Sequence, residues 1–521
     1  MKLFLIREAS EIKGDISQGL GIVGTIAKEA AVVKILDNNS HHKQYSNAEI
    51  LRKIREFQPD IVGFHVHTHN IFNTGTLIAN ISETFPNICL IAGGLHTYSE
   101  PYEVADLGVH IVAVEEADET ILPMLTALRM FVGNDSPFTI SDALASELRK
   151  IPGILFNNGS RTEWENTGKA LYIKDLDRIP FVDHDLFNLK DYIKGGNDHH
   201  YVTNTLLTQR GCPFSCSFCQ GQPDGIYRKV RHNSVAYKLE YIRHLVEKYG
   251  HDHVLFYDAN FTLDRKITLE FCRAMVESGL NKKVTFWCET NVVLPIDDEL
   301  AQALKRAGCS EIALGVERLT PDALQRIRKN RDMEVIKNNI LTLSRAGINV
   351  TANALVGFPF DTKRTIKEEE RVYTEIMDNV HSVMVSVLLP LPGTEVYAQT
   401  RYKKWYLDKT HMSWKPPFYH FAYNYNGDAW HANYFNLDAD TMAAIRGMRE
   451  RMYYKNMKKL NNRFVDFLFA ILKMLGSLSF YLFRKSPVIE RMLFGSVKYV
   501  YFSMWKIMVN RFYLRHQVSE T

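Results

Sequence analysis

The sequence predicts an α/β protein built from two successive parallel sheets and a helical C-terminal region, and three observations carry this expectation. Short apolar runs alternate with helix-periodic segments over the first ~130 residues. A longer alternation of the same kind starts at Tyr201 and lasts to about residue 400. Beyond it the chain is aromatic, basic and helix-periodic. A strand–helix–strand rhythm means parallel strands, because each crossover lays a helix over the sheet and buries its faces.

Residues 1–135 form the first unit. Strands are expected at "KLFLI", "DIVGFHV" and "ICLIAGG". The stretch "AEILRKIREF" sets Ile50, Leu51, Ile54 and Phe57 on one helical side, and "HIVAVEEADETILPMLTAL" reads as a strand running into a helix. Ligands on such sheets sit beyond the carboxyl ends of the strands, where Gly93 and Gly94 fall. Residues 136–200, with "NNGSRTEWENTG" and "GGNDHH", lack periodicity and read as a connecting segment with some short strands. Residues 201–400 offer six strands, "YVTNTLLTQ", "HVLFYDAN", "VTFWCET", "EIALGVE", "INVTANALVGFP" and "HSVMVSVLLPLP", with helices between them that often stop at Gly. Six such units predict a partial (β/α)6 barrel with its site where the strands end. Residues 401–521 form the helical, basic and aromatic region.

At 521 residues the chain suggests about three or four domains. The net charge of +4 is uneven: from Arg451 onward thirteen Lys or Arg face three Asp or Glu, so the rest carries about minus six. Seven cysteines, three clustered and four scattered, do not make a secreted disulfide framework. The opening MKLFLIREAS reads as a strand rather than a signal peptide, and a reducing cytoplasm is expected.

The clustered thiols are Cys212, Cys216 and Cys219 in "GCPFSCSFC", directly after the first barrel strand. Zinc would call for a second pair of ligands, and an electron-transfer cluster for four thiolates. Three thiolates around a [4Fe–4S] cluster leave one iron open to an outside ligand. The bland alternatives are three idle thiols or a distant fourth ligand.

The segment "TQRGCPFSCSFC", with Phe218 before the last Cys, resembles the signature of the radical S-adenosylmethionine (radical SAM) superfamily. The resemblance implies that the open iron chelates S-adenosylmethionine and that one electron cleaves it to a 5′-deoxyadenosyl radical. Later strand ends extend the match: "FYDANFT" with Asp258 and Asn260, "WCETN" with Glu289 and Asn291, and "ALGVERLT" with Glu317. Arg318 there replaces the family's small residue. "LVGFPFDT" resembles the turn near the adenine, with Gly357 and Pro359 kept and Phe360 and Asp361 as departures, and "LPLPGTEVY" matches the sixth strand's ending. The resemblance implies cofactor contacts from Phe218, Asp258, Asn260, Glu289, Asn291, Glu317, Arg318, Gly357 and Pro359. Any one strand-end carboxylate is more often a cap or ion-pair partner. Cys272, Cys288, Cys309 and Cys89 are expected as buried thiols.

The first unit resembles the cobalamin-binding domain of one radical SAM branch, which includes methyltransferases and anaerobic magnesium-protoporphyrin cyclase-like members. Gly93, Gly94, His96, Glu116 and Thr120 fit that branch, while Glu115, Ala117 and Asp118 depart. No D-x-H-x-x-G motif follows the first strand, which leaves cobalamin binding without a protein histidine, or a fold that has lost the cofactor, as the two readings. His65, His67 and His69 alternate along one face and are expected to line the cleft rather than hold a separate metal. For His96, a satisfied loop histidine and a cofactor contact stand side by side.

In the tail, "RFVDFLFAILKMLGSLSFYLFRK" approaches a membrane span in length, but Asp466 and Lys473 interrupt it on one helical face. An amphipathic surface helix at an anionic membrane and a helical subdomain packed on the barrel or a partner remain open. The aromatic content argues against nucleic acid. Together these features imply a radical SAM enzyme, with cobalamin-dependent methylation of an unactivated carbon or phosphorus centre in first place. Radical cyclisation or carbon–carbon bond formation is the alternative, and a non-catalytic cluster- or cobalamin-binding sensor is the alternative of another class. The resemblance further implies a reductant such as flavodoxin or ferredoxin and a small-molecule or lipid-like substrate.

Overall fold

The computed structural model describes residues 1–8, 16–40, 43–133, 136–157, 163–192, 204–220, 227–329, 332–400 and 435–460. The tail sequence after residue 460, including Asp466 and Lys473, lies outside the described residues, as do residues 401–434.

The first unit contains β1 (Lys2–Arg7), α1 (Gln18–Ala27), β2 (Val32–Asp37), α2 (Asn47–Phe57), β3 (Ile61–His65), α3 (Ile71–Thr84), β4 (Cys89–Gly93), α4 (Leu95–Ser99), α5 (Pro101–Ala105), β5 (Ile111–Ala113), α6 (Ile121–Leu128) and α7 (Asp142–Leu148), then β6 (Ile154–Asn157) and β7 (Trp164–Asn166). Its sheet runs β2-β1-β3-β4-β5-β6-β7, parallel through β5 and antiparallel for the last two strands. Buried Leu3, Leu5, Ile61 and Ile91 pack on one face and Phe4, Ile6, Val62 and Leu90 on the other, the pattern of a sheet covered on both sides. Strands β6 and β7 lie in the stretch that the sequence assigns to a connecting segment; they complete the first sheet instead. Phe156 and Leu155, both fully buried, give β6 one apolar residue for each face.

The second unit contains β8 (Asn204–Leu206), β9 (Gln209–Arg210), β10 (Arg231–His232), α8 (Val235–Tyr249), β11 (His253–Phe256), α9 (Arg265–Glu277), β12 (Thr285–Asn291), α10 (Asp298–Arg306), β13 (Cys309–Glu317), α11 (Pro321–Arg326), α12 (Met333–Arg345), β14 (Asn349–Val356), α13 (Lys363–Ile376), β15 (Ser382–Val387) and α14 (Glu395–Gln399). Six parallel strands in the order β8-β11-β12-β13-β14-β15 form the expected partial barrel. Ser, Asp and Thr caps start its helices, as Ser234 does for α8 and Asp297 for α10, and Gly250 ends α8 in the left-handed conformation. The helix Ala439–Leu460 packs on α13 and β15, with Met448 and Met452 buried and Asn456 bonded to both backbone groups of Val383. No helix among the described residues is long and apolar enough to cross a membrane.

Candidate active site

The cysteine loop leaves β9 and is fastened at several points. Gly211 adopts φ +91°, and a Cβ there would stand 2.4 Å from the Lys229 carbonyl oxygen, so only glycine lets the two chains pass. Cys212 N–H donates to the Tyr227 carbonyl at 2.6 Å, Ser217 N–H to Ile327, and Val396 N–H to Ser217. Gln220 donates to the Pro392 carbonyl, inside the predicted sixth-strand ending. Phe218 meets the edge of Phe358 at 5.9 Å between ring centroids, and Phe358 stacks on Phe360. Phe218 thus anchors the loop in the apolar cluster of Ile327, Phe358, Leu388 and Val396.

Cys212 and Cys216 are partly buried and Cys219 is exposed; none of the three is in a disulfide. Burial pushes Cys216 up to about 11 against the pull of the neighbouring Lys329 charge. The other four cysteines are buried, Cys288 fully, on the helix-facing side of β12. Among the described residues no three His, Cys, Asp or Glu side chains converge on one ion position. Three thiols with no fourth cysteine beside them fit a cluster with one open iron.

Inside the barrel mouth, the alternation along β12 turns Trp287, Glu289 and Asn291 to one face and buries Phe286, Cys288 and Thr290 on the other. Glu289 is pushed up to about 7, first by burial and then by the Glu317 charge. Glu317 holds a left-handed φ of +64° at the end of β13, and its Oε1 lies 3.3 Å from Lys329 Nζ. Gly315 makes room for that pair: a Cβ there would be 3.1 Å from both atoms. Asn260 accepts from Asn291 N–H at 2.7 Å and from Thr290, while its buried Nδ2 has no partner; neither does Asn291 Oδ1. Such an unmatched donor and acceptor, beside carboxylates and a lysine, fit the amino acid end of a zwitterionic ligand.

Several expected contacts have other duties. Asp258 is buried and accepts from Thr208 N–H and Gln209 N–H through Oδ1 and from the Thr208 hydroxyl through Oδ2, so it fixes the chain just before the cysteine loop. Arg318 is fully buried between Asp361 and Glu369, so the arginine at the family's small-residue position pairs with Asp361, itself a departure from the family pattern. Gly357 N–H also donates to Asp361, which makes the Gly357–Pro359 turn part of the same knot. Lys329 escaped the sequence reading, because a lysine within "RIRKNRD" looks like any solvated charge run.

In the first unit, His65 ends β3, with His67 and His69 on the loop beyond it. The His65 and His67 rings meet edge-on at 4.3 Å, and His65 Nδ1 lies 3.3 Å from the Ser17 hydroxyl, the cap of α1. Each keeps some exposure at the cleft, yet burial lowers His67 to about 3 and His69 to about 4 and holds His65 well below its usual value. The lining is therefore polar and uncharged at neutral pH, which suits a large amide-bearing cofactor. Gly94 has φ +124° and a Cβ there would lie 2.5 Å from the Val66 carbonyl oxygen. Gly93 meets nothing closer than 3.6 Å. His96 lies in the short helix α4, fully buried and bonded to Thr68 at 2.9 Å and to Glu103 at 3.2 Å, so it is a satisfied histidine rather than a cleft residue. Glu116 binds Arg210 and Arg231 of the second unit, which commits it to the contact between the units.

Family models match both units of the chain. Residues 206–371 match the radical SAM superfamily, and residues 13–123 match the B12 binding domain. An uncharacterized methyltransferase of Pyrococcus horikoshii is 24% identical over 381 residues, 73% of this chain and 77% of the relative. The anaerobic magnesium-protoporphyrin IX monomethyl ester cyclase of Cereibacter sphaeroides is 27% identical over 360 residues, covering 68% of this chain and 55% of the cyclase. Among solved structures, the radical S-adenosylmethionine methyltransferase TsrM of Kitasatospora setae, with tryptophan and a SAM analogue bound, superposes with a TM-score of 0.62 at 18% identity, over 77% of this chain and 76% of TsrM.

Proposed function

The chain belongs to the radical SAM superfamily, in the branch with an N-terminal B12-binding domain, and on that premise we propose that it is a cobalamin-dependent radical methyltransferase. When bound, the cluster with S-adenosylmethionine supplies reductive cleavage of the sulfonium, and cobalamin supplies a transferable methyl group. Cys212, Cys216 and Cys219 hold the cluster. Glu289, Glu317, Lys329, Asn260 and Asn291 grip the amino acid end of S-adenosylmethionine, opposite charges meeting its ammonium and carboxylate. The Gly357–Pro359 turn and the partly exposed Phe360 after it offer the adenine an apolar edge, with buried Phe358 stacked behind Phe360 as its support. His65 and His67 line the cobalamin cleft at the carboxyl end of β3.

The observation that carries this reading is the trio of cysteines outside any disulfide at a barrel mouth that also holds an unmatched Asn pair, joined to a sheet domain with a neutral imidazole-lined cleft. The test is anaerobic reconstitution followed by reduction in the presence of S-adenosylmethionine. Iron, sulfide and cobalamin should be retained and 5′-deoxyadenosine formed, and Cys216→Ser should abolish both iron retention and product. Isotopically labelled methyl should appear in the substrate; 5′-deoxyadenosine without label transfer would favour radical cyclisation instead, the reading that the 27% identity to the cyclase supports.

The reductant is a small electron carrier such as flavodoxin or ferredoxin. Peripheral contact with an anionic membrane through the basic tail belongs to the same proposal and rests on the sequence after residue 460. Deleting that tail should release the protein from anionic liposomes.

A further inference from the structure

Strands β9 and β10 form a two-residue antiparallel ribbon in which Arg210 stands directly opposite Arg231. Like charges facing each other across an antiparallel pair repel and open it. Here they are both nearly shielded from water, with side-chain exposures of 12% and 9%, so solvent screens them little. The compensating charge comes from the other unit. Glu116, on the loop after β5, reaches between the two guanidinium groups: Oε1 is 2.5 Å from Arg231 Nη2, and Oε2 is 2.8 Å from Arg210 Nη1. Asp118 then takes Arg210 in a two-point grip at 2.7 and 2.9 Å.

This ribbon is the base of the cysteine loop. Arg210 is followed by Gly211 and Cys212, and Cys212 bonds to Tyr227 on the chain that leads into β10. Tyr227 in turn meets Tyr98 of α4 edge-on at 4.6 Å. We propose that Glu116 and Asp118 of the B12-binding unit are positioning residues for the cluster: their carboxylates hold the β9–β10 ribbon closed, so the cysteine loop takes its working shape only while the two units are docked. The inference rests on the proposed function for the loop's role, but not for the physics of the ribbon.

The test uses hydrogen exchange on the full chain without cofactors. Glu116→Gln should speed exchange at least tenfold in residues 204–220 and 227–234 and leave β12 to β14 unchanged, and the reconstituted variant should show an altered or weaker cluster electron paramagnetic resonance signal. Adding Arg231→Gln to Glu116→Gln removes the repulsion and should return exchange to within about threefold of the parent. A contact that merely contributed interface area would not be restored by losing a second partner. Unchanged exchange in Glu116→Gln, or no recovery in the double variant, overturns the proposal. If Glu116→Gln fails to fold, a folded double variant supports it and an unfolded one overturns it. Because this readout needs no S-adenosylmethionine, absence of 5′-deoxyadenosine in the parent would refute the enzyme assignment without touching this result.

Discussion

Arg318 and Asp361 form a two-point ion pair at 2.6 and 3.2 Å with both side chains fully shielded from water. Glu369 adds a second carboxylate 3.3 Å from Arg318 Nε, an ion-pair approach without hydrogen-bond alignment, while its oxygens accept from the backbone of Leu319 and Thr320. The knot ties the turn that follows Glu317 at the end of β13 to the turn after β14. Removing the arginine strands two buried carboxylates, so Arg318→Met should cost about 3–5 kcal/mol in urea unfolding. Arg318→Lys should recover less than half of it, since one ammonium cannot replace the fork. A loss below about 1 kcal/mol in Arg318→Met would show that the knot contributes little.

Asp258 accepts three hydrogen bonds from Thr208 and Gln209. Asp258→Asn turns an NH2 toward one of those donors, leaving a buried donor unmatched at a cost of about 1–3 kcal/mol. The predicted signature is a lower melting temperature together with poor iron retention after reconstitution. Full iron content at parental affinity would separate Asp258 from the shaping of the cysteine loop.

Gly94→Ala places a Cβ against the Val66 carbonyl oxygen and the His65 ring at φ +124°. The strained backbone alone costs about 1–3 kcal/mol, and the overlap must push the loop after β3 aside. Weaker cobalamin binding, followed by absorbance titration, should accompany the stability loss. Gly93→Ala, which meets only ordinary protein contacts, is the stability control and should leave the melting temperature unchanged.

Stability should fall on the acid side because of the cleft histidines. The folded chain lowers His67 to about 3 and His69 to about 4, mainly by burial, whereas an unfolded imidazole titrates near ~6.5. Between those values the unfolded chain binds protons that the folded chain refuses, so the stabilisation is complete above about pH 6.5 and drains away as the pH falls toward 4. His67→Gln should flatten the change in urea midpoint between pH 7.5 and pH 5. An equally steep drop in the variant would assign the acid sensitivity to other groups.

The parallel strands β1, β3, β4 and β5, the six barrel strands and the cysteine loop were legible in the sequence, whereas β2 and the antiparallel pair β6 and β7 were not. Strand and helix periods are local, and a C-x3-C-x2-C spacing needs no partner to be legible. Glu289 and Asn291 were readable for the same reason, because period-two alternation turns them to one side of β12. Which charges serve the mouth and which serve the frame follows from the folded packing and cannot be read along the chain. Asp258, Arg318, His96 and Glu116 look like site residues in one dimension, yet each is claimed by a partner 7 to 115 positions away in sequence. Lys329 is the reverse case, an ordinary surface charge in the sequence that becomes a buried neighbour of Glu317. A charged side chain is assigned by what surrounds it, since burial makes pairing obligatory, and the partner is chosen by the packing of distant strands rather than by the residues beside it in the chain.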